Sequence, residues 1–158
     1  TTTLGSCIAA CLWDRVRLVG GMNHFMLPDS PAAGATDGGR YGVYAMDQLI
    51  GELVKRGAQR GNLEAKIFGG GAVIDGMSSI QIGERNTRFV LEYLHTERIP
   101  VVSKDVLALS PRKVCYLPQT GKALVKRLQP RAAETVLAEE NQARQRAPAS
   151  VGGTVDLF

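Results

Sequence analysis

Ile8-Ala9-Ala10-Cys11-Leu12-Trp13, then Asp14-Arg15, then Val16-Arg17-Leu18-Val19-Gly20-Gly21-Met22-Asn23-His24-Phe25-Met26-Leu27-Pro28 is the stretch on which the fold turns. Two apolar runs joined by a charged pair read as a β-hairpin, and Pro28 closes the second strand because proline removes a ladder donor. Upstream, Thr1-Thr2-Thr3-Leu4-Gly5-Ser6-Cys7 sets a cysteine at the mouth of the first strand. Downstream, residues 29–39 hold Gly, Pro and small polar side chains without periodicity, the pattern of a surface loop.

From Tyr41 to Arg56, Met46, Leu49, Ile50 and Leu53 recur at helical spacing, and Gly57 follows where a helix end tolerates positive φ. Leu63–Phe68 reads as a strand running into Gly69-Gly70-Gly71, with Ala72–Ile74 as its continuation. A second helix is predicted over Gly83–Glu97, with Phe89, Val90, Tyr93 and Leu94 on one side, and a strand over Ile99–Ser103. Residues 113–117 and 122–128 flank Pro118-Gln119-Thr120-Gly121 as a closing hairpin. Strands alternating with two main helices, and hairpins at both ends, give a mixed β-sheet of class α/β or α+β, with the N-terminal hairpin carrying Cys7 and His24.

The 158 residues suit one domain, and a chain of that size buries about 68–70% of its unfolded surface, enough for a core without staples. The domain is expected over residues 1–128. Residues 129–158 form a polar, basic extension, read as a weak helix or mobile tail with Val136 and Leu137 as its few apolar anchors and an apolar end at Val155, Leu157 and Phe158.

The composition, 44% apolar and 22% charged, describes an ordinary globule. The net charge of +4 comes entirely from residues 104–158 and lacks interleaved aromatics, so it reads as a solvated surface rather than a nucleic-acid site. No apolar run is long enough to span a membrane and no charged-then-apolar leader opens the chain, so no membrane insertion and a cytoplasmic location are expected.

Three cysteines without CxxC spacing suggest neither a disulfide framework nor a zinc site. Cys7 is the one placed for chemistry. Gly5 lets the backbone bend so that the N–H groups of Ser6 and Cys7 can face a developing oxyanion, and such donors are worth about 2.7–4 kcal/mol each. A thiol with a pKa of about 8.5 needs a base, and His24, in the second strand of the same hairpin, can meet it across the strands. Thr1, Thr2 or Thr3 can supply the oxygen that orients the imidazole.

The plainer reading of any Cys is a small buried hydrophobe, and of a strand His a satisfied structural residue. That reading is kept for Cys11 and Cys115. His95 is assigned to the end of a helix dipole. Phe68-Gly69-Gly70-Gly71-Ala72 has no following Lys-Ser or Lys-Thr and reads as close backbone packing rather than a phosphate cradle. Glu139-Glu140 reads as a solvated pair.

Thr1 to Cys7, ending Leu-Gly-Ser-Cys, together with Ile8-Ala9 and Gly21-Met22-Asn23-His24-Phe25-Met26-Leu27-Pro28, resembles the signature of the chemoreceptor glutamine deamidases, the CheD family of bacterial chemotaxis. Lys66-Ile67-Phe68-Gly69-Gly70, Ile82-Gly83-Glu84-Arg85-Asn86 and Arg112-Lys113-Val114 extend the match to about residue 127. The resemblance implies a protein-glutamine glutaminase that converts receptor glutamines to glutamates through a thioester, with Cys7 as nucleophile, His24 as base and Thr1 as the residue orienting it.

It implies methyl-accepting chemotaxis receptors as substrate, a CheC-type phosphatase as partner, and neither metal nor cofactor. Two other readings use the same residues: a non-enzymatic regulator binding receptors or a CheC-type phosphatase, and a cysteine-dependent esterase or peptidase. The sequence departs from the family at Val106-Leu107-Ala108-Leu109-Ser110-Pro111, where a glycine-rich turn usually precedes the basic pair and here no glycine occurs.

Overall fold

The computed structural model describes residues 1–27, 35–72, 77–129, 135, 136, 138, 139, 142 and 154–157, with the backbone alone for 35–38, 77–80 and 154–157. The hairpin forms, but Asp14 ends the first strand, residues 15–18 make the turn with Val16 and Leu18 exposed, and the second strand is shorter than the expected 16–27. Strand β2 (Ile8–Asp14) pairs antiparallel with β3 (Val19–Phe25), setting Ala9 opposite His24 and Asp14 opposite Val19. Its turn is built by the buried Asp14, whose carboxylate accepts the N–H groups of Val16 (2.8 Å), Arg17 (2.9 Å) and Gln59 (2.8 Å). Burial pushes that carboxyl up, but the N–H groups of Gln59, Arg17 and Val16 outweigh it and hold it below the usual carboxylate range.

On its other edge β2 pairs antiparallel with β4 (Leu63–Gly69), and β4 runs parallel to β5 (Val101–Val106). Residues 154–157, read from the sequence within the polar extension, form strand β8 (Thr154–Leu157) on the outer edge of β3, completing the order β5-β4-β2-β3-β8. A second, three-stranded sheet is made of β1 (Thr2–Leu4), β6 (Arg112–Leu117) and β7 (Lys122–Arg127), in the order β1-β6-β7. The mixed sheet and the closing β6–β7 hairpin are as expected; the division into two sheets and the strand β1 are not.

Helix α1 (Ala35–Lys55) links β3 to β4, and α2 (Met77–Thr96) links β4 to β5. They cover one face of the large sheet, where Ile8, Ala10, Leu12 and Phe25 meet Met46, Leu49, Ile50, Leu53, Val90 and Leu94. The small sheet belongs to the opposite face. There Ala9, Cys11, Met22 and Phe68 pack with Leu4, Val114 and Tyr116. Because β2 is covered on both sides, its sequence is apolar from Ile8 to Trp13 instead of alternating.

Both helices begin earlier than the apolar spacing predicts. α1 starts at Ala35, so residues 35–39 of the expected loop are helical, while 28–34 lie outside the described residues. Extending an existing helix adds one bond per residue fixed, which tolerates the poor helix formers Gly38 and Gly39. α2 starts at Met77, and Gly83, predicted as its first residue, is interior: a Cβ there would collide with the Gly70 carbonyl oxygen. Of the continuation predicted at Ala72–Ile74, only Ala72 is described, and it is not in a strand. In the predicted helix of the extension the described residues 135, 136, 138, 139 and 142 are helical, and Val136 is buried.

The glycine-free segment after β5 turns nonetheless. Leu107 and Ala108 occupy φ of 62° and 70°, a region that costs an L-residue about 1–2 kcal/mol. Ala108→Gly removes that strain while loosening the unfolded chain, so it is expected to stabilise the protein by about 0.5–1 kcal/mol, read as a higher urea midpoint with an unchanged slope.

Candidate active site

Strand alternation decides which side chains meet. On β2 and the residue before it, Cys7, Ala9 and Cys11 face the small sheet, while Ile8, Ala10 and Leu12 face the helices. On β3, Met22 faces the small sheet and Phe25 the helices, so His24 shares the face of Met22 and of its cross-strand partner Ala9. Cys7 lies two residues from Ala9 on that face, which makes it the diagonal neighbour of His24, with Cα atoms about 7–8 Å apart in such pairs. The expected pair is therefore brought to one face of one hairpin. Cys7 is buried and His24 half-buried.

The third group comes from β1. Thr2 Oγ1 lies 3.1 Å from His24 Nδ1, within hydrogen-bond range. Thr2 pairs with the buried Val114 and Thr3 with the exposed Lys113, so Thr2 and Leu4 point into the molecule and Thr3 away from it. Thr1, the residue the resemblance points to, is exposed and lines a shallow hollow of about 360 Å³ with Lys113, Cys115, Leu124, Val125 and Lys126. The period of two along a strand thus sets Thr2, rather than Thr1 or Thr3, against His24.

The loop that presents Cys7 is held by three hydrogen bonds from two elements. Gly70 N–H donates to the Cys7 carbonyl (2.7 Å) and Gly71 N–H to that of Gly5 (2.7 Å). Gly69 and Gly70 have φ of 110° and 62°, and a Cβ on Gly69 would strike the Cys7 carbonyl oxygen. The triple glycine is backbone packing, as expected, and what it packs is the loop that holds Cys7. From α2, the fully buried Asn86 donates to the Ser6 carbonyl (2.9 Å) and accepts Leu27 N–H (3.1 Å). One amide thus ties the residue before Cys7 to the segment just after His24.

Asn86 sits in the quoted motif Ile82–Asn86, but only the fold reveals its two partners. Asn86→Ala leaves a carbonyl and an N–H without their partner in the interior. The expected loss is about 2–4 kcal/mol, measured by chemical denaturation.

The helical spacing marks Tyr41 only as the start of a helix, and the structure places it inside α1. Burial raises its phenol, and negative charge on Cys7 would raise it further. The other cysteines behave as expected of structural residues in one case and differently in the other. Burial pushes the Cys11 thiol up to about 12, leaving it protonated and inert. Cys115 is only half-buried, on the outer face of the small sheet opposite Leu124. His95 is exposed in the last turn of α2, as predicted, and Glu139 is exposed, whereas Glu140 lies outside the described residues. Among the described residues no three His, Cys, Asp or Glu side chains cluster as metal ligands.

A family model described as CheD chemotactic sensory transduction matches residues 26–127. The chain belongs to the CheD family. That match begins just after His24, but the relatives align across the pair as well. A protein of Albidiferax ferrireducens named "Probable chemoreceptor glutamine deamidase CheD 1" is 60% identical over 99% of this chain and 67% of its own length. Proteins named "Probable chemoreceptor glutamine deamidase CheD" from a Janthinobacterium species and from Methylobacillus flagellatus are 50% and 49% identical over 99% of this chain, covering 79% and 80% of their own lengths. Among the described residues no helix is long and apolar enough to cross a membrane.

Proposed function

We propose that this protein hydrolyses the side-chain amide of glutamines on chemoreceptors, with Cys7 as nucleophile, His24 as base and Thr2 as the residue that orients the imidazole. The observation that carries the reading is the Thr2–His24 contact on the face of the hairpin that also holds Cys7. The names of the relatives supply the substrate class.

With Nδ1–H donating to Thr2 Oγ1, the neutral ring carries its lone pair on Nε2, and that nitrogen takes the Cys7 proton. The thiolate attacks the carboxamide carbon, and the N–H groups of Ser6 and Cys7 hold the oxyanion. His24 returns the proton to the departing nitrogen, so ammonia leaves and a glutamyl thioester remains. Water, deprotonated by the same imidazole, adds to the thioester; glutamate is released and the thiol regains its proton. One water is consumed and one ammonia formed per glutamine. The protein works in the cytoplasm on the receptors' cytoplasmic helices, with a CheC-type phosphatase as a regulatory partner.

Attack on any acyl carbon uses these parts, so substrate class is the test. A receptor fragment, a methyl ester of the same fragment and an unrelated peptide are incubated with the protein. Ammonia released in step with glutamate formed, with ester and peptide bonds intact, is the expected result; methanol or new peptide termini would make the protein an esterase or peptidase.

The threonine assignment has its own test. One hydrogen bond of about 1–1.5 kcal/mol corresponds to roughly tenfold in rate. Thr2→Val is therefore expected to lower kcat about tenfold, whereas Thr1→Val leaves it within about twofold.

A further inference from the structure

The turn between β5 and β6 has the opposite of the features that stabilise a surface loop. It places two non-glycine residues at positive φ, and it exposes Leu107 by 39% and Leu109 by 78%. Neither arrangement contributes to folding, yet the turn is held firmly. Arg112, with no exposed surface, donates to the carbonyls of Asp105 and Leu107, to that of Gly69 (3.1 Å) and to that of Ser110 (3.5 Å). It also pairs with the Asp105 carboxylate at 3.2 Å, which Arg127 reaches from outside at 3.3 Å. Strain that the surroundings over-determine in this way is characteristic of positions kept for function.

The turn's position shows which function. Leu107 N–H donates to the Gly69 carbonyl (2.9 Å), and Ala72 N–H donates to the Ala108 carbonyl (2.8 Å). Residues 69–72 are in turn bonded to the Cys7 loop through Gly70 and Gly71. Three backbone segments therefore lie side by side: the nucleophile loop, the glycine turn and the leucine turn. At the usual spacing of about 4.8 Å between bonded strands, the leucine turn sits about 10 Å from the Cys7 backbone. With a helix rising about 5.4 Å per turn, a helix that offers a side chain to Cys7 passes the leucines one to two turns away.

We infer that Leu109, with Leu107 beside it, is a specificity-determining contact that seats an apolar side chain of the receptor helix one to two turns from the target glutamine. The inference rests on the deamidase reading and names what that reading leaves open, the means by which an open site selects among glutamines. The segment from Val106 to Pro111 carries no charged side chain, so the complementary residue on the helix is apolar. A short apolar contact of this kind adds to binding without touching the reacting atoms, and its loss appears in KM rather than kcat.

The test uses the parent protein, Leu109→Ser and Leu109→Met, each assayed for deamidation of a purified receptor cytoplasmic fragment. Binding of the same fragment is measured to Cys7→Ala with and without Leu109→Ser. The expected result is a KM about tenfold higher for Leu109→Ser with kcat within twofold, parent-like values for Leu109→Met, and a matching tenfold loss in binding. A parent that deamidates the fragment while Leu109→Ser shows the same KM, or a lower kcat at unchanged KM, overturns the inference and leaves the deamidase reading standing. A parent that neither converts nor binds the fragment removes the reading, and the inference with it.

Discussion

Cys7→Ala is expected to fold as the parent does and to release ammonia from a receptor fragment at least about a thousandfold more slowly, because removing a nucleophile leaves only binding and oxyanion contacts. The fold survives because the backbone of residue 7 is held by groups that ignore its side chain: Gly70 N–H on its carbonyl, and Asn86 on the carbonyl of Ser6. Losing a sulfur from the cluster of Leu4, Ala9, Met22 and Phe68 costs about 1 kcal/mol, a small fraction of the stability of a domain. The two measurements separate cleanly. A denaturation midpoint close to the parent's with ammonia release gone assigns the chemistry to the sulfur, whereas undiminished release removes Cys7 from the reaction.

The second large effect is expected from His24→Ala. General acid–base groups contribute about 10²–10⁴-fold, and His24 is asked both to deprotonate the thiol and to protonate the leaving nitrogen, so kcat is expected to fall within that range. The sulfur remains, so its reactivity can be read directly. Alkylation of Cys7 in the variant is expected to run more slowly at neutral pH than in the parent, because no base is left to draw off the thiol proton. Peptide mapping keeps the readings distinct, because Cys115 is half-buried and able to react, while Cys11, pushed up to about 12 by burial, stays silent. Equal alkylation rates at every pH in parent and variant would show that the imidazole does not activate the sulfur.

Local pattern shows that the hairpin exists, from two apolar runs about a charged pair, but not where its turn lies, and the register of β2 and β3 puts Cys7 and His24 on one face. The same pattern misplaced the helix starts, because Gly38, Gly39 and Gly83 read as punctuation when the first two merely extend a nucleated helix and the third is a packing contact. It also missed β1, which has three residues and exists only through its pairing with β6, more than a hundred residues away. Without a strand there is no alternation, and nothing in Thr1-Thr2-Thr3 distinguishes the member that faces His24. Asn86 and Arg112 are visible as members of motifs, but apart from the Asp105 carboxylate their partners are backbone carbonyls and N–H groups, which leave no trace in side-chain identity.

The most direct test of the sulfur–imidazole pair acting on glutamine is residue-by-residue mass spectrometry of a purified receptor fragment after incubation with the parent protein or with Cys7→Ala. The expected result is that defined glutamines exchange NH₂ for OH with the parent and keep their amides with the variant. A parent that leaves every glutamine amidated, or a variant that converts the same positions as fast, would contradict it.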